Sequence, residues 1–185
     1  MRYTMWISGV VGLLLFAGCG SSDSTTPLAH HDKELNNAFD PSVVVWQVDN
    51  NEGLRINEES EYIYLQFDHS ASQSDAQNVQ FIIDIDNNTS TGNMTENGAD
   101  YIVENGYLYQ SKSRTRWDWQ ELGKMDSAVE GNVDTVRIPL SMLENKRDVF
   151  AVNAELLDDR WQPVLYSPSA IDENGNHKKT RYPDP

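Results

Sequence analysis

The segment FIIDIDNNTSTGNMTENGADY, residues 81–101, sets Asp84, Asp86 and Asn88 at alternate positions where an apolar run gives way to a loop crowded with Asp, Asn, Thr and Gly. Side chains alternate across a strand, so Val79, Phe81, Ile83 and Ile85 share one face, with Ile82, Asp84 and Asp86 on the other. A carboxylate at the end of an apolar strand is costly to bury without a partner. Water, a backbone amide or a cation can be that partner. Hard oxygen ligands at alternate positions, followed by the carbonyls of a tight turn, form a ligand set that suits calcium. The alternative is an Asx-type turn, in which the same side chains accept from nearby amides and hold no ion. Local chemistry leaves both open.

The D-x-D-x-N spacing matches the start of an EF-hand loop and then departs from it. With Asp84 at position 1, Thr89 stands where Gly is required and Thr95 where a bidentate Glu is required. The flanking segment also reads as a strand, not a helix. Any ion site must therefore be completed from elsewhere, and Asp100 in NGADY is the first candidate.

A second group of residues could bind sugar. Trp117 and Trp119 flank Asp118 in RTRWDWQ and so share one strand face, as do Tyr107 with Tyr109 and Tyr62 with Tyr64. Aromatic rings offer flat apolar surface to the C–H faces of a pyranose, while neighbouring Asp, Asn, Gln and Arg, such as Arg116, bond its hydroxyls. Strand aromatics more commonly pack inside a sandwich or pair across strands. RTRWDWQ is the best platform, because Arg114, Arg116, Asp118 and Gln120 fall on its opposite face and leave that strand half exposed. Catalysis is not expected: the chain has no G-x-S-x-G, H-E-x-x-H or catalytic cysteine. His69, Met94, Met125 and Met142 lie in or beside turns, in no haem-binding motif.

The elements that must position these residues are short runs rich in Val, Ile, Tyr, Phe and Trp: SVVVWQV, EYIYLQF, NVQFIIDI, DYIVE, YLYQS, RWDWQEL, VDTVRIPL, DVFAVNAEL and WQPVLYS. Their regular spacing predicts an all-β fold, an antiparallel sandwich, over residues 41–168. Asn105-Gly106 predicts a two-residue hairpin turn joining 100–104 to 107–111, because both central positions need positive φ. PLSMLEN predicts one short helical turn. Before the domain, residues 1–18 read as a secretory signal: Arg2, an apolar run too short to span a bilayer, then small residues. LFAGC resembles a bacterial lipobox, which makes Cys19, the only cysteine, the lipidated first mature residue. Gly20 after it implies the outer membrane of a Gram-negative cell. Residues 19–40 read as a flexible tether, in which His30 and His31 have no third ligand at a recognisable spacing. Residues 169–185 read as a polar, mostly disordered tail with a solvated basic cluster of Lys178, Lys179 and Arg181. Removing residues 1–18, with Arg2 as their single charge, takes the formal net charge from −15 to −16. That acidity excludes nucleic acid as a partner and suits a protein that recruits cations.

The order vqFIIDIDNNTSTG, GADYIVENGYLY, WDW, VRIPLSML and VFAVNAEL resembles carbohydrate-binding module family 9 and the DOMON-like β-sandwich superfamily across about residues 43–166. The resemblance implies two packed antiparallel sheets and a structural calcium near the Asp-rich turn, carried over to Asp84, Asp86, Asn88 and Asp100. It also implies sugar held by exposed aromatics, for which Trp117, Trp119, Tyr107, Tyr109 and Arg116 are the candidates. The expected function is that of a non-catalytic, lipid-anchored, glycan-binding envelope protein. A structural lipoprotein that holds an envelope protein partner is the alternative.

Overall fold

A computed structural model of the chain describes residues 47–48, 53–70 and 78–183. The expected signal, Cys19 and the tether lie outside the described residues, as does Trp46. The described chain is all-β, with two antiparallel sheets and no α-helix among the described residues. The strands are β1 Gln47–Val48, β2 Leu54–Glu58, β3 Tyr62–Asp68, β4 Asn78–Asp84, β5 Tyr101–Glu104, β6 Tyr107–Ser111, β7 Trp119–Lys124, β8 Asp126–Glu130, β9 Val133–Pro139, β10 Phe150–Leu157, β11 Pro163–Ser167 and β12 Thr180–Tyr182. The first sheet runs β1-β2-β3-β9-β8, and the second runs β11-β10-β4-β5-β6-β7 with β12 also paired to β10.

Period-two alternation places the core between the sheets. Leu54, Ile56, Ile63, Leu65, Phe67, Val136 and Ile138 come from the first sheet, and Val79, Phe81, Ile83, Tyr101, Val103, Leu108, Phe150, Val152, Ala154 and Leu156 from the second. The β4 alternation is as the sequence predicts: its odd-numbered residues enter this core, while Ile82 joins Ala99 and Ile102 in a small separate cluster on the far face. The β5–β6 hairpin turns at Asn105 and Gly106, with φ of 50° and 75°. The short helical turn is a 3-10 turn at Leu140–Met142.

Two expectations need correction. The polar tail is not disordered through the residues described: β12 pairs Tyr182 with Phe150, Arg181 with Ala151 and Thr180 with Val152. The Tyr182 ring lies 5.3 Å from that of Phe150, and its hydroxyl accepts from the Glu58 amide at 3.2 Å, so this segment joins both sheets. RTRWDWQ is not one continuous strand either. β7 begins only at Trp119, and residues 112–118 form a loop closed by the Lys112 amide donating to the Asp118 carbonyl at 2.8 Å.

Candidate functional site: the acidic loop and the outer face of the second sheet

The acidic loop is built by two adjacent strand ends. Asp84 closes β4 on its outer face, and Asp100 stands just before β5, where its amide donates to the Ile83 carbonyl at 2.9 Å. Antiparallel pairing therefore brings the two carboxylates together, and residues 85–99 must turn within a small space. Gly92, at φ 55°, permits this, since a Cβ there would collide with the carbonyls of Gly98 and Ala99.

Each carboxylate already serves the loop. Asp84 Oδ1 accepts from the Asn88 amide at 2.9 Å, Asp100 Oδ2 from the Ile85 amide at 3.0 Å, and Asp86 from the Thr91 hydroxyl at 3.0 and 3.1 Å. The loop is thus the hydrogen-bonded turn that its Asp and Asn content allows. The same fold also gathers one oxygen from each of Asp84, Asp86 and Asp100 within 4.8 Å of one another. Oxygens bound to one calcium at about 2.3–2.6 Å lie within roughly 5 Å of each other, so the spacing fits that ion. A carboxylate offers about four acceptor positions, leaving lone pairs free after these bonds. Burial raises Asp84 to about 6 and Asp100 to about 6, with the neighbouring carboxylates adding to the rise. Asp86 and Asp100 border a cavity of about 360 Å³ that gives access to the cluster. Asn88 is exposed beside them; its amide donates to Asp84 and its Oδ1 accepts from the amide and hydroxyl of Ser90 at 3.1 and 2.6 Å.

Asn93 joins this loop to the tryptophans. It is fully buried, and its Nδ2 donates to the carbonyls of Ser113 at 3.0 Å and Arg116 at 2.8 Å. The Met94 amide donates to the Arg114 carbonyl at 2.8 Å. These bonds hold residues 112–118 off a strand path and fix the Trp117 loop to the acidic loop.

The expected aromatic residues stand outside the main core. Tyr107 and Tyr109 project from the outer face of β6, opposite Glu104 and Ile102. Trp119 and Tyr109 pack on the small cluster of Ile82, Ala99 and Ile102. Trp117 is 58% exposed and meets Trp119 edge-on, with ring centroids 5.5 Å apart. Arg116 is exposed beside it in the loop. Cross-strand register extends this face into a polar row, Tyr166–Glu155–Gln80–Glu104–Tyr107, in which Gln80 donates to Glu104 at 3.1 Å. Burial raises the Glu104 carboxyl above its ordinary value.

The sequence reading missed Lys179, Gln80, Glu104 and Asn93. Lys179, expected in solvent, places its ammonium against the carbonyls of Glu96 and Asn97 at 2.8 and 2.7 Å. Burial lowers its pKa, while Asp84, Glu96, Asp100 and Glu155 pull it back up. A signal for Gln80 was present, as a polar residue in the otherwise apolar run VQFII.

Comparison with known proteins returns no matching family model, no matching curated protein and no matching solved structure. The likeness to the family 9 and DOMON-like group rests on the motifs quoted above.

Proposed function

We propose that the chain is a non-catalytic, glycan-binding β-sandwich carried by a lipid-anchored envelope protein, with calcium at Asp84, Asp86 and Asp100. One observation carries the reading: Trp117, Trp119, Tyr107 and Tyr109 lie on the solvent side of the second sheet instead of between the sheets. Rings placed there offer a platform for a pyranose face, and Glu104 and Arg116 supply hydroxyl partners. The Asn93 bonds give calcium a role in binding. An ion that orders the acidic loop would also order the tryptophan loop attached to it, so sugar affinity would fall in chelator. The lipid anchor at Cys19 and an outer-membrane location belong to this proposal on the strength of the lipobox resemblance.

The test is intrinsic tryptophan fluorescence and affinity electrophoresis against a panel of soluble polysaccharides, in millimolar calcium and in EDTA. The expected result is calcium-dependent binding that drops at least tenfold in Trp117→Ala, a substitution at an exposed site that leaves the fold intact. A folded, calcium-loaded protein that binds nothing in the panel would sink the glycan reading. The alternative, an envelope protein partner, would then lead. It draws on the exposed Trp161 just before β11 and Val164 within it, a strand whose far edge has no partner among the described residues.

A further inference from the structure

Beyond the aromatic rings, the outer face of the second sheet ends in a cavity of about 250 Å³ lined by Glu96, Asn153, Glu155, Tyr166, His177 and Lys179, among others. Three segments meet there: the acidic loop at 95–97, the outer faces of β10 and β11, and residues 175–179. The His177 ring stacks on Tyr166 at 3.4 Å and 11°, giving the cavity one flat, rigid wall.

Its hydrogen bonding is incomplete. Asn153 is 3% exposed, and its side chain bonds Glu155, yet its Oδ1 is buried with no partner. His177 Nδ1 is likewise buried and unpartnered. Buried polar groups are rarely left so without a ligand or water to meet them. Glu155 is 6% exposed, and burial, reinforced by Glu96, raises it to about 8; burial raises Glu96 to about 7. Lys179, the cation nearby, directs two of its three donors to backbone carbonyls. Asn153 Oδ1 is thus a buried acceptor still without a donor, beside the carboxyl groups of Glu96 and Glu155 and an ammonium with one proton not given to a carbonyl. A compact positive group with several N–H donors would meet the Asn153 oxygen and a neighbouring carboxylate together. The volume lies below the roughly 300–1,000 Å³ of drug-sized pockets, which suits one small ring.

We propose that this cavity binds a protonated primary amine carried on a hydroxylated ring, an amino-sugar residue, with its ammonium donating to Asn153 Oδ1 and Glu155. The ring half of this assignment rests on the glycan reading above, whereas the amine half rests on the cavity alone. The incoming charge favours the ionised form of Glu155, so binding at neutral pH releases a proton to solvent. Glu96, Lys179, His177 and Tyr166 are the other titratable groups around that carboxyl, with Asp84 and Asp100 behind Lys179.

The test is isothermal titration of the full chain with glucosamine, glucose, N-acetylglucosamine and methylammonium chloride, each in two buffers of different ionisation enthalpy. Glucosamine is expected to bind at least tenfold more tightly than the other three and to release protons on binding. Glu155→Gln should lose at least tenfold in glucosamine affinity together with the proton release. That variant mimics the protonated carboxyl and so keeps the fold. Equal affinity for glucose and glucosamine, or no heat from a folded protein, would overturn the proposal, and methylammonium binding as tightly as glucosamine would overturn its ring half. Glucosamine binding by a protein that ignores every neutral polysaccharide would remove the aromatic-face reading and leave the amine site standing. Polysaccharide binding without glucosamine binding would do the reverse.

Discussion

The faces that the two sheets turn away from the core are built alike and satisfied differently. On the first sheet, cross-strand neighbours complete one another. Arg55 donates to Gln66 at 2.7 Å, Gln66 to Thr135 at 3.2 Å and Arg137 to Asp126 at 2.6 Å, while the Arg137 guanidinium lies 4.8 Å over the Tyr62 ring. Gln66 and Thr135 are nearly as buried as Asn153, yet each has its partner. On the outer face of the second sheet, Trp119, Asn153 and, on the segment packed against it, His177 keep buried polar atoms without a partner among the described residues, while Ser167 and Thr180, opposite Ala154 and Val152, do so on its inner side. Carboxyl groups gather on the outer side, where burial raises Asp84, Glu96, Asp100 and Glu155. A surface whose polar groups already bond each other has little to offer a ligand. One with unmet acceptors keeps that capacity at a cost in stability.

Lys179→Met should sharpen this contrast most. The ammonium is the charge that offsets the four carboxyl groups around it, and removing one side of a buried charge set typically costs about 3 kcal/mol or more. The loss should be greatest near pH 8. Asp84 and Asp100, raised to about 6, and Glu155, raised to about 8, contribute stability that is complete below their unfolded values near 4 and is lost as pH rises through those folded values. Lys179 opposes that loss, so urea midpoints of the variant and parent should diverge as pH rises from 5 to 8. Midpoints that stay parallel across this range would mean that the two outer faces do not differ electrostatically.

The next effect is that of the ion. Calcium at a hundredfold excess over its dissociation constant should stabilise the fold by about 2.7 kcal/mol, visible as a rise in melting temperature of several degrees. Asp100→Asn should abolish the rise. In EDTA at pH 8 the same substitution should stabilise slightly, because it removes a buried charge. Equal melting shifts in magnesium and calcium would argue against an oxygen cage of calcium size. The smallest effect belongs to the self-completed face. The partly exposed Arg137–Asp126 pair predicts that Arg137→Met costs under about 1 kcal/mol and changes neither calcium nor sugar binding. A larger loss, or any ligand effect, would erase the comparison.

Much of the sandwich was legible in the sequence, because period-two alternation in β4 and the Asn105-Gly106 turn are local signals whose physics tertiary contacts did not override. The convergence of Asp84 with Asp100 was legible for the same reason, as both flank neighbouring strand ends. Asn88 lies beyond the end of β4, and the bonds from Ser90 to its side chain were not legible from its alternate spacing. The Trp117 loop could not be read locally, since a side chain 20 or more residues away in sequence, Asn93, determines its path. Lys179 lay in a polar segment with no hydrophobic period, and only three residues of that segment pair with β10. Asn153 and Glu155 did leave a trace: two polar residues alternating with Val152, Ala154 and Leu156 indicate a strand whose second face is not lipophilic.

The pairing of β10 has a further consequence for self-association. One edge of this strand meets β4 along its length, but the other is divided, with β11 covering residues 154–157 and β12 covering 150–152. A proteolytic cut in the exposed stretch 173–176 would let β12 leave and open three backbone positions beside Phe150, which is otherwise inaccessible to solvent. An open edge of that kind is a template for another strand. The corresponding segment of a second molecule fits it by construction, so a nicked sample would exchange strands between copies before it unfolded.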